Sequence, residues 1–105
     1  MANQKLKLVI FVPVSHADIV RGAIGRAGAG QIGNYQFCSF STRGQGRFLP
    51  TVGAKPAIGQ VGKLEIVDEE RIEVVCDQSR LDEVVLAIKA VHPYEEVAYD
   101  VYQLI

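Results

Sequence analysis

The sequence predicts an α+β sandwich, with two helices laid over one face of a four-stranded antiparallel sheet. Three observations carry this. Two segments with helical spacing of their apolar residues each follow a β-rich run, and the two βα halves echo each other in layout. A glycine-punctuated, strand-forming stretch separates them, and a last β-rich run ends the sequence. At 105 residues the chain has the size of one domain, and residues 1–105 are read as a single one.

The first strand is expected from Leu6 to Val12, LKLVIFV. Leu6, Leu8, Ile10 and Val12 share one face, with Val9 and Phe11 on the other, so it reads as an interior strand. Pro13 closes it. Ser15 and Asp18 resemble a helix N-cap with an acid in the first turn. A helix follows from about His16 to Ala27, with Ile19, Val20, Ala23, Ile24 and Ala27 as its buried stripe, and Gly28 and Gly30 end it. A second strand is expected from Asn34 to Thr42, a turn at Gly44 and Gly46, and a short returning strand from Arg47 to Pro50. Thr51 to Gly62 reads as a long ordered loop. A third strand spans Lys63 to Val75, interrupted at Asp68-Glu69-Glu70, which reads as a solvated turn or bulge. Ser79 and Asp82 repeat the capping pattern before a second helix, Leu81 to Val91, with Leu81, Val84, Val85, Ile88 and Val91 inward. Pro93 stops it, and the last strand runs from Val97 to Leu104. The order is that of a ferredoxin-like βαββαβ fold with an extra short hairpin strand.

Bulk properties narrow the function classes. Hydrophobic residues make up 49% and charged residues 22%, enough for a true core. A net charge of -1 argues against a nucleic-acid partner held by phosphate contacts. No apolar run approaches the roughly 18 residues of a membrane span, so no membrane partner is expected. Met1 to Lys5 lacks the layout of an export signal, which makes a soluble, cytoplasmic protein the expectation. Cys38 and Cys76 both fall in expected strands, where reduced cysteines act as small buried hydrophobes.

Two helices cover one face of such a sheet. The last strand nevertheless places Val97, Tyr99 and Val101 on one side and Ala98, Tyr102 and Leu104 on the other. An aromatic face left open would be a sticky patch on a monomer. Burial against further copies is expected, giving a symmetric homo-oligomer.

Three segments stand out: Ala27-Gly28-Ala29-Gly30-Gln31-Ile32-Gly33-Asn34-Tyr35 leading to Cys38-Ser39-Phe40; Gly44-Gln45-Gly46-Arg47-Phe48 with the later Gly53-Ala54-Lys55-Pro56; and His92-Pro93-Tyr94-Glu95-Glu96-Val97-Ala98-Tyr99-Asp100. Together, AGAGxIGNY, CSF and HPYEExAYD resemble the inserted domain of the YqfO branch of the Ngg-interacting-factor-three family, known as type 2 GTP cyclohydrolase I. That domain is itself similar to the cation-tolerance protein CutA and the nitrogen-regulatory PII proteins. The resemblance implies a ferredoxin-like subunit of a trimer or related oligomer, with a regulatory or ligand-sensing role. Full-length members carry a dinuclear metal site on two flanking lobes, and this sequence matches neither lobe. Its histidines are only His16 and His92. A hydrolase activity is therefore not expected of these residues, and no catalytic residue is assigned.

Two candidate sites follow. A histidine with two carboxylates can ligate zinc or copper, which puts His92, Glu95 and Glu96 around a divalent cation, with Cys38 joining if the fold brings it near. The plainer reading makes His92-Pro93 a helix stop whose ring bonds locally. The second site is for a small anionic ligand, at Gly30 and Gly33 with Arg43, Arg47 and Lys55 nearby. No G-x-x-x-x-G-K-[ST] loop is present, and the AGAG run ends a helix rather than starting one. Glycines that serve turns are the plainer reading here too. The leading expectation is a PII/CutA-like regulatory module binding a small ligand or metal ion. The alternative is a metal-tolerance type of protein using the His92-Glu95-Glu96 turn.

Overall fold

The alternation near the start of the sequence becomes a central strand of the sheet. In the computed structural model, which describes residues 4–105, β1 is Lys5–Pro13, α1 Ala17–Arg26, β2 Phe40–Phe48, β3 Glu65–Asp77, α2 Leu81–Val91 and β4 Tyr99–Gln103. The strand order is β2-β3-β1-β4, and every neighbouring pair is antiparallel. This is the ferredoxin-like arrangement, with both βα halves in one sheet.

Register sets what each face carries, because opposed residues point the same way. Leu8 lies opposite Val74 and Ile10 opposite Ile72. These residues join Val12, Cys76, Val20 and Ile24 of α1, and Val84 and Ile88 of α2, in one buried cluster. The other face carries Val9 opposite Glu73 and Phe11 opposite Arg71. No helix covers it, yet Val9 is fully buried, and the Arg71 guanidinium lies 5.6 Å from the centre of the Phe11 ring. Among the described residues, no helix is long and apolar enough to cross a membrane.

Several sequence expectations change. β2 runs unbroken through Gly44 and Gly46, so Arg47 and Phe48 finish that strand and no hairpin strand forms. Residues 34–39 lie outside it, with a single bridge pairing Ile32 and Tyr35. For Gly46 the reason is a contact distant in sequence. A side chain at Gly46 would put its Cβ 2.1 Å from the Glu69 carboxylate, so this glycine admits a neighbour instead of turning the chain. β3 is also unbroken, and the acidic triplet lies inside it. Glu69 and Glu70 are buried because each has a partner on its own face, Tyr94 and Arg21 respectively.

The helix starts differ as well. Neither Ser15 nor Ser79 caps a helix. Single 3-10 turns, Val14–His16 and Gln78–Arg80, precede α1 and α2, and their first carbonyls accept the N–H groups of Ala17 and Leu81. Backbone replaces the side-chain cap. Finally, Ile19 is half exposed, and Ala17 takes the inward position on α1.

Candidate functional site: a cavity beneath the β2–β3 connection

After Phe48 the chain leaves the sheet and returns at Glu65. Pro50 is buried, and its carbonyl accepts the N–H of Gly62 at 2.8 Å, which closes this connection at its base. The backbone N–H of Lys55 donates to Glu95 Oε2 at 2.9 Å, tying the loop to the turn after α2. That turn is anchored to β1 by the Phe11 N–H, which donates to the Ala98 carbonyl at 3.1 Å. Between loop, turn and sheet lies a cavity of about 420 Å³, whose lining includes Phe11, Phe48, Pro56, Ile58, Glu69 and Tyr94.

His92 organises the turn. Its Nε2 lies 2.8 Å from the Phe11 carbonyl, and its Nδ1 accepts the Tyr94 N–H at 3.1 Å. A carbonyl only accepts and an amide N–H only donates, so the proton sits on Nε2 and the ring is neutral. Burial lowers its pKa, opposed by the Phe11 bond and by the charge of Glu69. Two residues on, the Tyr94 hydroxyl donates to Glu69 Oε2 at 2.7 Å. Burial, then that bond, raises the tyrosine pKa well above its usual value. The Tyr94 ring meets Phe48 edge-on, with centroids 5.7 Å apart.

Glu69 is the deepest polar group of the cavity, only 8% exposed. Oε2 holds the Tyr94 hydroxyl, while among the described residues no hydrogen bond or ion pair reaches Oε1. Oε1 occupies the space that Gly46 leaves open.

The residues singled out from sequence fall in several places. Glu95 and Glu96 line the cavity, as does Arg47. Lys55 contributes its backbone N–H to the loop anchor. Both ring nitrogens of His92 are already engaged. Cys38 is not in a strand and lies half-buried in a separate depression beside α1, with Arg21, Phe37 and Val74. Among the described residues, no three His, Cys, Asp or Glu side chains gather as a metal-holding group. Arg43 is exposed on β2, opposite Glu70. The Gly30 N–H donates to the Val75 carbonyl, and the Gly30 carbonyl accepts the Cys38 N–H, both at 2.8 Å. A Cβ at Gly30 would lie 2.6 Å from the Cys38 carbonyl, so the AGAG run serves close backbone packing. Gly33 sits in the exposed turn between Ile32 and Tyr35. Sequence reasoning missed Glu69, Gly46 and Phe48. Strict alternation through the acidic triplet, which turns Glu69 and Glu70 to opposite faces, was the available signal.

No protein-family model matches the chain. Over 98 residues it is 52% identical to the GTP cyclohydrolase 1 type 2 homolog of Halalkalibacterium halodurans, covering 93% of this chain and 26% of that protein. A Bacillus cereus protein related to NIF3 superposes over 99% of this chain and 26% of its own, at 50% identity and a TM-score of 0.86. The chain is homologous to one segment of these proteins. It spans about a quarter of their length, and the resemblance carried by the three motifs holds. The same fold recurs at low identity. The periplasmic divalent cation tolerance protein CutA of Archaeoglobus fulgidus matches 95% of this chain and 83% of its own, at 17% identity and a TM-score of 0.69. Bacillus subtilis GlnK, in its ATP complex, matches 99% of this chain and 84% of its own, at 16% identity and a TM-score of 0.66.

Proposed function

We propose that the chain is a subunit of a homo-oligomeric regulatory module of the PII/CutA kind, whose cavity beneath the β2–β3 connection takes a small ligand. The cavity carries this reading. Its volume of about 420 Å³ falls within the range of small-molecule sites, and its walls are apolar and aromatic with a few polar groups. The loop over it is held at two points, by Glu95 and by the Pro50–Gly62 bond.

Self-association rests on exposed apolar groups of the two edge strands, Phe40 of β2 and Tyr102 of β4, on the sheet face that the helices leave open. We favour a trimer by likeness to CutA and PII folds, and a reducing, cytoplasmic setting for the free thiols of Cys38 and Cys76. The cyclohydrolase named in the relatives belongs to proteins of which this chain spans 26%, and we assign none of that activity to this segment.

A divalent-cation site at His92, Glu95, Glu96 and Cys38 is a distinct proposal. It would require His92 to give up a backbone bond and Cys38 to leave its own depression. Two amide NMR titrations separate the readings. A panel of cationic, neutral and anionic fragments should shift the amides of Ala54, Ala57 and Ala98, and silence across the panel would remove the ligand reading. Zinc or copper should shift the amides around His92 only if the metal reading holds, and that shift should then vanish in His92→Ala.

A further inference from the structure

We infer that the cavity selects a small organic cation, a protonated amine on an apolar body. This inference deepens the ligand reading above and rests on it. Its starting point is Glu69, 8% exposed as a residue, whose Oε1 has no protein partner among the described residues and is open to the cavity rather than sealed off, since no fully buried side-chain oxygen there goes unbonded. A carboxylate in so shielded a place is best served when its charge is paired and its open oxygen accepts a strong donor. Tyr94 fills one oxygen and brings no charge. An ammonium donating to Oε1 would meet both needs.

The surroundings agree with that choice. Glu95 and Glu96 also line the cavity, against a single basic lining residue, Arg47, which forms no ion pair among the described residues. Three carboxylates against one guanidinium disfavour a phosphate or carboxylate ligand. The rings of Phe48 and Tyr94 suit the apolar body and attract a cation through their π-faces. A bare divalent metal would find no three ligating side chains gathered among the described residues. Gly46 completes the site, because any side chain there would fill the space at Oε1.

Three probes of one shape and different charge test this: phenethylammonium, 2-phenylethanol and phenylacetate, titrated into the unmodified chain while the amides of Gly46, Ala54 and Ala98 are followed. Phenethylammonium should bind about ten- to a hundredfold more tightly than the alcohol, as expected for a hydrogen bond to a charged group. Phenylacetate should bind most weakly. In Glu69→Gln the ammonium should fall to the level of the alcohol. Equal binding of ammonium and alcohol, or a preference for phenylacetate, would overturn the cation while leaving a ligand cavity in place. Silence from fragments of every charge would overturn both readings. The comparison on the unmodified chain decides the matter even if Glu69→Gln does not fold.

Discussion

His92 is held through both ring nitrogens, and this fixes how its protonation affects stability. Protonating Nδ1 would set an N–H against the Tyr94 N–H. Burial lowers the folded pKa, while the unfolded chain titrates near its ordinary value of about 6.5. Below that value the unfolded chain takes up the proton first. The contribution is therefore full above about pH 6.5 and is lost as pH falls through the lowered folded pKa. Urea midpoints at about pH 7.5 and about pH 5.5 should differ more for wild type than for His92→Gln; parallel shifts would exclude His92 as the cause. His92→Ala, which strands the Phe11 carbonyl and the Tyr94 N–H, should cost about 2 kcal/mol in urea unfolding. Gly46 gives a second test. Gly46→Ala forces Glu69 to move and should cost about 1–3 kcal/mol, whereas Gly44→Ala meets nothing within 4 Å and should cost little. In a Glu69→Ala background the Gly46→Ala cost should largely disappear. Equal costs at both glycines would contradict the close approach.

At the level of elements, α1 and β3 share the apolar core, and Arg21 adds a polar tie between them. Arg21 bonds Glu70, buried inside the sheet, and also Asp18, which is almost fully exposed. Pairs of these two kinds differ in worth. Arg21→Ala leaves a buried carboxylate unpaired and should cost about 3 kcal/mol, while Asp18→Ala should cost well under 1 kcal/mol. Thermal or urea unfolding of the two variants checks this, and comparable losses would refute it. These buried acids also explain what was hard to read. The helices and the first and last strands, β1 and β4, were legible, because their apolar periods and closing prolines act within a few residues. The middle was not. Gly44, Gly46 and the acidic triplet have the local chemistry of turns, but their surroundings come from Arg21 and Tyr94, distant in sequence. Long-range contacts decided those strands. The serines failed as caps for the opposite reason, since the backbone turn just before each helix had already supplied the acceptor.

For the whole molecule, the uncovered sheet face foreseen from the last strand is real, and β2 and β4 are exposed along most of their lengths. The cavity was only half legible. Glu95, Glu96 and Arg47, named from sequence for a metal site and an anion site, line it, and Lys55 only ties down its loop; the Glu69–Tyr94 pair at its centre joins residues 25 apart in a way that periodicity does not give. The open sheet face that carries Phe11 and Tyr102 borders the cavity and is also the face proposed to meet other copies. Placing a charge on that face with Tyr102→Glu, now 50% exposed, should weaken association with little effect on the monomer's fold. Most direct is the solution mass of the unmodified chain by light scattering at micromolar concentration. A multiple of 11.5 kDa is expected, with the threefold species favoured; a single 11.5 kDa species across that range would contradict assembly.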